Sequence, residues 1–145
     1  MTSSGISVQA DGVRVPVARA RCAAAAALVL RAERAPRTLL SVTFVDRRRI
    51  AGLNRRHLGH AGPTDVISFG FRDADGAVLG DIYICPEVAA ENARRFGRPV
   101  REELLRLVVH GTLHVVGHDH PEGEARTDSP MWRRQEALLR RVLRA

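Results

Sequence analysis

Four of the six histidines of the chain lie within residues 110–120, in the segment HGTLHVVGHDH. His110 and His114 are four residues apart, so on a helix both imidazoles project from the same face, one turn apart. Gly117 is typical of a helix C-terminus, where a left-handed residue reverses the chain and can bring His120 back beside the first two. Three neutral imidazoles that converge on one point form an open Zn²⁺ site, which keeps its fourth position for water. The segment therefore predicts a metal site formed by His110, His114 and His120.

The spacing of these histidines matches the metal-binding motif of the metzincin proteases, H-E-x-x-H-x-x-G-x-x-H, with one change. In those proteases the glutamate takes a proton from the zinc-bound water. Gly111 stands at the glutamate position here and cannot accept a proton. The pattern favours a metal site but counts against a metalloprotease.

Two residues beside the third histidine leave alternatives open. His118 competes with His120 as third ligand, but it follows Gly117 directly and is expected to point elsewhere in the turn. Asp119 is the candidate catalytic residue, because its carboxylate could orient a ligand imidazole or accept a proton. The alternative role of Asp119 is to cap the turn.

The elements that would position this site follow from the hydrophobic pattern and from the Pro and Gly residues that interrupt it. Residues 6–10 and 12–15 are predicted to form a short strand or hairpin, and further strands are predicted at 38–45, 66–71 and 77–85, the last two joined by a hairpin loop at 72–76. Helices are predicted at 17–35, from the N-cap Asp46 through about 57, and at 86–96, 99–116 and 130–143. This order predicts one α+β domain over residues 1–145, with helices packed on a small mixed sheet of about four strands and the metal site at the end of a central helix.

The composition is that of a globular protein, with 145 residues of which 45% are hydrophobic. The longest apolar run, residues 22–30, is far shorter than the roughly 20 residues that cross a bilayer. The N-terminus has no basic region ahead of an apolar stretch, and two cysteines do not make a disulfide framework. A cytoplasmic protein without a membrane partner is expected.

The charge balance is strongly basic, with a formal net charge of +7, and all 23 basic residues are arginine. A positive surface favours association with polyanions such as RNA. The alternative explanation is the codon bias of a GC-rich genome. The chain has one tryptophan, one tyrosine and four phenylalanines, so base stacking on an exposed aromatic surface is not expected.

Three segments give the chain a resemblance to the YbeY family of bacterial endoribonucleases and ribosomal RNA maturation factors: LNRRHLGHAGPTDVISF at 53–69, GDIYI at 80–84 and HGTLHVVGHDH at 110–120. That family has the patterns L-N-x-x-Y-R-x-K-D-x-P-T-D-V-L-S-F, G-D-I and H-G-x-L-H-x-x-G-Y-D-H, in the same order and with fitting separations. The matching positions are Leu53, Asn54, Pro63, Thr64, Asp65, Val66, Ser68, Phe69, Gly80, Asp81, Ile82, His110, Gly111, Leu113, His114, Gly117, Asp119 and His120.

The resemblance implies a cytoplasmic, single-domain α+β protein that holds one zinc ion through His110, His114 and His120. It also implies metal-assisted cleavage of single-stranded RNA, in small-subunit ribosomal RNA maturation and ribosome quality control. The implied partners are ribosomal RNA, the small ribosomal subunit and its assembly factors, and not DNA.

One departure from the family pattern concerns RNA binding. The family's arginine, associated with RNA phosphate, falls at Leu58, and a leucine cannot hold a phosphate. Arg55, Arg56 and Arg72 are the candidate RNA-binding residues in its place, each against the alternative of an ordinary solvated arginine. The departure also favours a second hypothesis, a ribosome-assembly factor with a structural zinc and little or no nuclease activity.

Overall fold

Four β-strands form one mixed sheet in the computed structural model, which describes residues 4–119 and 129–145. The strands are β1 (Gly5–Ala10), β2 (Thr38–Phe44), β3 (Val66–Arg72) and β4 (Val78–Ile84). Their order across the sheet is β1-β2-β4-β3; β1, β2 and β4 run parallel, and β3 pairs antiparallel with β4. The hairpin loop between β3 and β4 is held by Asp73, whose carboxylate accepts hydrogen bonds from the backbone N–H groups of Asp75 and Ala77 at 2.9 and 3.0 Å.

The described part of the chain contains five helices: α1 (Arg19–Ala32), α2 (Arg47–Leu58), α3 (Pro86–Phe96), α4 (Val100–Val115) and α5 (Pro130–Arg144). Side chains cap two of their N-termini, where the first backbone N–H groups have no partner within the helix. Asp46 accepts a hydrogen bond from the backbone N–H of Arg49 at 2.8 Å, and Ser129 accepts one from that of Trp132 at 3.1 Å.

The main core lies between one face of the sheet and the helices α1 and α4, and α5 packs on both helices. Val42 and Phe44 of β2 and Ile82 of β4 meet Val29 of α1 and Val108 of α4, and all five side chains are fully buried. The helix α4, which carries the predicted histidine ligands, is therefore the central helix of the fold.

The opposite face of the sheet is covered in part by α2. A smaller cluster lies beneath that helix, formed by Val45, Ile50, Leu53, Ile67 and Cys85. Elsewhere this face is open to solvent around Leu39 and Phe71, which are 39% and 64% exposed.

Close approach of α4 to the hairpin depends on glycines. A Cβ atom at Gly70 of β3 would lie 2.9 Å from the backbone oxygen of Val115, and a Cβ atom at Gly111 would lie 2.8 Å from Cγ2 of Ile82. Both distances are shorter than a carbon can tolerate, so larger residues would push the helix away from the sheet. The C-terminal half of α4, with two of the predicted metal ligands, is thereby held against β3 and β4.

The predicted α+β class, the sheet of four strands and the order of the elements are confirmed, with element ends that differ by three residues or fewer. Of the short strand or hairpin predicted over residues 6–10 and 12–15, the strand is confirmed as β1, and the hairpin is wrong because residues 12–15 form no strand. β1 pairs in parallel with β2, whose last residue, Phe44, pairs with Ala10. Because β2 ends at Phe44, residues 12–15 have no adjacent strand residues with which to pair. No helix in the described ranges is long and apolar enough to cross a membrane.

Candidate metal centre

The helix α4 brings His110 and His114 together as the sequence predicts. Their ring centroids are 4.7 Å apart and the ring planes are inclined by 77°. His110 is buried, at 5% exposure, whereas the side chain of His114 is 24% exposed. Two imidazoles one helical turn apart can both reach one metal ion.

A glutamine of α5 sets the protonation of His110. Nδ1 of His110 lies 2.6 Å from Oε1 of Gln135, and Nε2 of Gln135 donates to a carboxylate oxygen of Glu136 at 2.9 Å. Because an ionised carboxylate only accepts hydrogen bonds, the amide nitrogen of Gln135 faces Glu136 and the amide oxygen faces His110. Nδ1 of His110 therefore carries a proton, and in the neutral ring Nε2 has the lone pair that a metal ligand requires.

The carboxylate of Glu136 is kept ionised by Arg106. Burial raises the pKa of Glu136, but hydrogen bonds from Arg106 and Gln135 outweigh it, so the net pKa lies below its ordinary value. Burial likewise lowers the pKa of Arg106, and its bonds to Glu136 and Glu103 outweigh burial and raise that pKa. The guanidinium donates to Glu136 at 2.9 Å and to Glu103 at 2.6 Å.

The polar row of α4 is more buried than the sequence predicts. The row at 103, 106, 110 and 114 predicts that the histidines face a cleft, and His110 does line a cavity that opens to the surface beside exposed Phe96. Glu103 and Arg106 are each only 6% exposed, however, and these charged residues stabilise one another inside the protein. The same network makes Arg106 a structural support, because its donors are already occupied by carboxylates.

Gly111 belongs to the packing surface of α4 and not to the metal side. A side chain at this position would meet Ile82 of β4. A glutamate here would point into the sheet and could not reach the metal side. The close packing of α4 on the sheet therefore leaves no room at this position for a side chain such as the metzincin glutamate.

The turn after α4 positions His118 and Asp119. The backbone N–H of His118 donates to Leu113 and that of Gly117 donates to His114, each at 3.0 Å, and Gly117 has a φ of 110°. These two bonds form the motif that commonly reverses the chain at a helix C-terminus. The predicted reversal at Gly117 is confirmed.

His118 is held on the side of α1. Its Nε2 lies 2.5 Å from a carboxylate oxygen of Glu33, which also accepts a hydrogen bond from Arg134 at 2.7 Å. Burial raises the pKa of Glu33, but the bonds from Arg134 and His118 outweigh it and leave the pKa lowered. With its Nε2 on Glu33, His118 is a poorer candidate for a ligand than the sequence alone indicated.

Asp119 is at the edge of the site. Its Oδ1 lies 4.0 Å from Nδ1 of His114, and its side chain is 98% exposed. This separation is longer than a hydrogen bond, and the roles predicted for Asp119, orienting a ligand imidazole or accepting a proton, stay predictions. His120, the predicted third ligand, lies outside the described residues. Within residues 4–119 and 129–145 no group of three His, Cys, Asp or Glu side chains could hold a metal, so the described part of the site comprises His110 and His114.

A cavity of about 290 Å³ opens beside His110. Its wall includes Arg95, Phe96 and Arg98 from the end of α3 and Trp132 from α5. Neither these residues nor Gln135 are predicted by the sequence pattern. Arg94 and Arg95 are adjacent in the chain, but which surface they share with the histidines depends on how α3 and α5 pack around α4.

The three candidate RNA-binding arginines lie apart from this cavity. Arg55 and Arg56, on the exposed side of α2, border a second surface depression with Arg48 and Arg49, and it shares no lining residue with the His110 cavity. Arg72 ends β3, two residues beyond Gly70, on which Val115 of α4 rests. Of the three candidates, Arg72 is therefore the one that belongs to a strand in contact with the C-terminus of α4.

The positions around the missing family arginine are partly exposed. Leu58, the last residue of α2, is 48% exposed. His57 packs edge-on against Phe69 with ring centroids 5.1 Å apart. His57 is thus part of the packing of α2 on β3, and Leu58 offers an apolar side chain to solvent.

The chain is similar to known proteins over most of its length. The family model of endoribonuclease YbeY matches residues 8–143. The endoribonuclease YbeY of Thermobifida fusca is 38% identical over 135 residues, which cover 86% of each chain. That of Beutenbergia cavernae is 47% identical over 96 residues, which cover 60% of this chain and 64% of that protein, slightly less than two thirds of its length.

A solved structure is similar as well. The solution structure of TM1509 from Thermotoga maritima superposes with a TM-score of 0.64 at 29% identity, covering 94% of this chain and 88% of that one. The match of the family model over nearly the whole chain, together with the paired histidines on the central helix, shows that the chain belongs to the endoribonuclease YbeY family.

Proposed function

We propose that this protein is a zinc-dependent endoribonuclease that hydrolyses phosphodiester bonds of single-stranded RNA. The observation that carries the proposal is the paired imidazoles of α4, one of them with its Nε2 lone pair fixed by Gln135, in a chain of the YbeY family. His120 completes the proposed ligand set. A donor set of neutral imidazoles suits zinc, although nickel, copper or iron would also bind it.

The proposed roles of His110, Asp119 and the zinc ion differ. When bound, zinc supplies the positive charge that polarises a phosphoryl oxygen and offsets the charge that develops as the bond to phosphorus breaks. The Nδ1–H of His110 donates a hydrogen bond to Oε1 of Gln135, which leaves Nε2 of the neutral ring as the atom that would hold the metal. Asp119 is the candidate for orienting His114 or moving a proton near it, because its carboxylate is 4.0 Å away and open to solvent.

Binding of RNA is assigned to the basic surface. The net charge of +7 favours a polyanion without reading its sequence. Arg72 is favoured among the three candidates, because it ends the strand on which the C-terminus of α4 rests; Arg55 and Arg56 would contact RNA that extends beyond the site. Substrate choice then comes from docking on the small ribosomal subunit and its assembly factors in the cytoplasm, during ribosomal RNA maturation and quality control.

Exposed Leu58 favours a second candidate function. A family member without the arginine at this position has lost one phosphate contact, and a zinc held only for stability would still support a role in ribosome assembly. In that case the protein would bind zinc and the ribosomal subunit but would cleave RNA little or not at all.

Cleavage of single-stranded RNA by the purified, zinc-loaded protein tests the proposal, with His114→Ala as control. Loss of a ligand should lower the cleavage rate by about a hundredfold or more, since metal stabilisation of transition-state charge is worth several kcal/mol. Equal cleavage by the parent and by His114→Ala would indicate a contaminating nuclease and would refute the proposed endoribonuclease activity. Zinc binding without cleavage by the parent, with unfolding of His114→Ala, would support the assembly factor.

A further inference from the structure

An exposed aromatic ring stands at the C-terminal end of α3, beside the candidate metal centre. Phe96 is 59% exposed, although a phenylalanine gains free energy from burial. It is the last residue of α3, and Gly97 in the left-handed conformation turns the chain away immediately after it. The ring therefore projects from the end of a rigid helix, and its position does not depend on a loop.

Two arginines flank the ring. The guanidinium carbon of Arg98 lies 5.4 Å from the centroid of Phe96 and that of Arg95 lies 5.9 Å from it. These distances allow a cation–π attraction, but they are longer than the distance between a guanidinium group and a ring that stack in direct contact. Nη1 of Arg98 also lies 3.5 Å from a carboxylate oxygen of Glu103. Arg95, in contrast, has no carboxylate within ion-pair distance among residues 4–119 and 129–145. At least one of the two cations is thus available to an anion.

The same three residues line the cavity that contains His110. Its volume of about 290 Å³ is at the lower end of the range of ligand pockets, and suits one nucleotide and not a longer segment. An aromatic face, a cation and a candidate metal ligand thus border one small space. Low aromatic content led to the expectation that base stacking plays no part, but a single well-placed ring is sufficient for one base.

We propose that Phe96, Arg95 and Arg98 form a nucleotide subsite, in which the Phe96 ring stacks one unpaired base of single-stranded RNA and the arginines hold a neighbouring phosphate beside His110. The inference rests on the proposed function and deepens it, because it names how the strand is held next to the metal centre. It favours single strands over duplexes, since a base within a duplex is already stacked on both faces.

Fluorescence anisotropy of a short labelled single-stranded RNA of mixed sequence, bound to the zinc-loaded protein, tests the subsite. Phe96→Leu keeps an apolar side chain but loses the flat face, and should weaken binding about 5- to 150-fold, the range for loss of one base–aromatic stack. Phe96→Tyr should retain the parent affinity. Fluorescence of Trp132, the one tryptophan of the chain and a lining residue of the cavity, should change on RNA binding to the parent.

Phe71 offers a matched control. It is 64% exposed, on the open face of the sheet, away from the His110 cavity. Phe71→Leu should leave RNA affinity unchanged, and binding of duplex RNA should be insensitive to both substitutions. Arg95→Gln should reduce the slope of log Kd against log salt concentration by about 0.7, the value for one phosphate contact on a single strand. Phe96→Leu should not change that slope.

The experiments distinguish failure of the proposed subsite from failure of the proposed nuclease activity. If the parent binds RNA without cleaving it, the proposed activity fails while the effect of Phe96→Leu still decides the subsite. Parent affinity in Phe96→Leu overturns the subsite. An equal loss in Phe71→Leu, or a parent that binds no single-stranded RNA, overturns it as well.

Discussion

Replacing Gln135 by methionine removes two side-chain hydrogen bonds, one with His110 at the candidate metal centre and one to Glu136, and changes the packing little. Gln135 is 1% exposed, and methionine has a similar length and shape without polar atoms. The substitution removes the oxygen that lies 2.6 Å from Nδ1 of His110. It also removes the amide donor to Glu136, which keeps its bonds to Arg106.

Two magnitudes follow from this geometry. Nδ1–H of His110 would be buried without the acceptor that Gln135 provides, which costs about 1–3 kcal/mol of folding free energy in the metal-free protein. The imidazole would no longer be held in the tautomer with its lone pair on Nε2. Loss of such a partner typically weakens metal binding about 10- to 100-fold, or roughly 1.4–2.8 kcal/mol.

The assay measures zinc affinity by competition with a chromophoric chelator, and urea unfolding of the metal-free protein beside it. Leu138→Ala is the matched control, because Leu138 is fully buried in the same helix but is not bonded to His110. It should cost about 2–5 kcal/mol of stability while the folded protein keeps the parent affinity for zinc. Nitrogen NMR of His110 should show the proton on Nδ1 in the parent and a mixture of tautomers in Gln135→Met.

Parent-like zinc affinity in Gln135→Met, together with a lower stability, would refute the assigned role. Gln135 would then be a core residue that supports α5, and the tautomer of His110 would be set by another group. A loss of zinc affinity as large in Leu138→Ala would show that the effect is general destabilisation.

Three further predictions concern stability and ligand identity. Gly111→Ala should destabilise the protein in urea unfolding by about 1 kcal/mol, because crowding against Ile82 outweighs the gain in helix propensity. Gly52→Ala is the control, because Gly52 lies in α2 with open space around its Cβ position, and it should stabilise the protein by about 0.5–1 kcal/mol. A change of the unfolding free energy in the same direction for Gly111→Ala and Gly52→Ala would contradict the close packing of α4. The pKa of Glu136 is lowered on folding, so the stabilisation from its ionised carboxylate is present above its ordinary pKa of 4.5 and is lost as the pH falls through the pKa of the folded state. Glu136→Gln should therefore flatten the decline of the unfolding free energy at acid pH. An unchanged decline in the variant would contradict this role of Glu136. His118→Ala should keep its zinc in mass-spectrometric metal analysis, whereas alanine at any of the three predicted ligands should lose it, and equal loss with His118→Ala would refute the ligand set.

The local pattern of the sequence predicted much of the fold. Regularly placed prolines, glycines and cap residues marked the helices, and Asp46 and Pro86 begin α2 and α3 as expected. Alternation of apolar residues marked the strands. The failure at residues 12–15 has a non-local cause, because a strand needs a partner and β2 has ended where this segment passes it. Pairing is decided between segments that are distant in the chain.

The candidate site shows the same division. The i, i+4 spacing of His110 and His114 and the reversal at Gly117 are local properties of one helix and its end, and the sequence by itself determined them. Tertiary packing decided that Gln135 fixes the proton of His110 and that Phe96 borders the same cavity. These residues belong to α5 and α3, and no spacing rule connects them to α4. Side chains on separate helices meet only where the core brings those helices together, which depends on the shape of the whole hydrophobic interior.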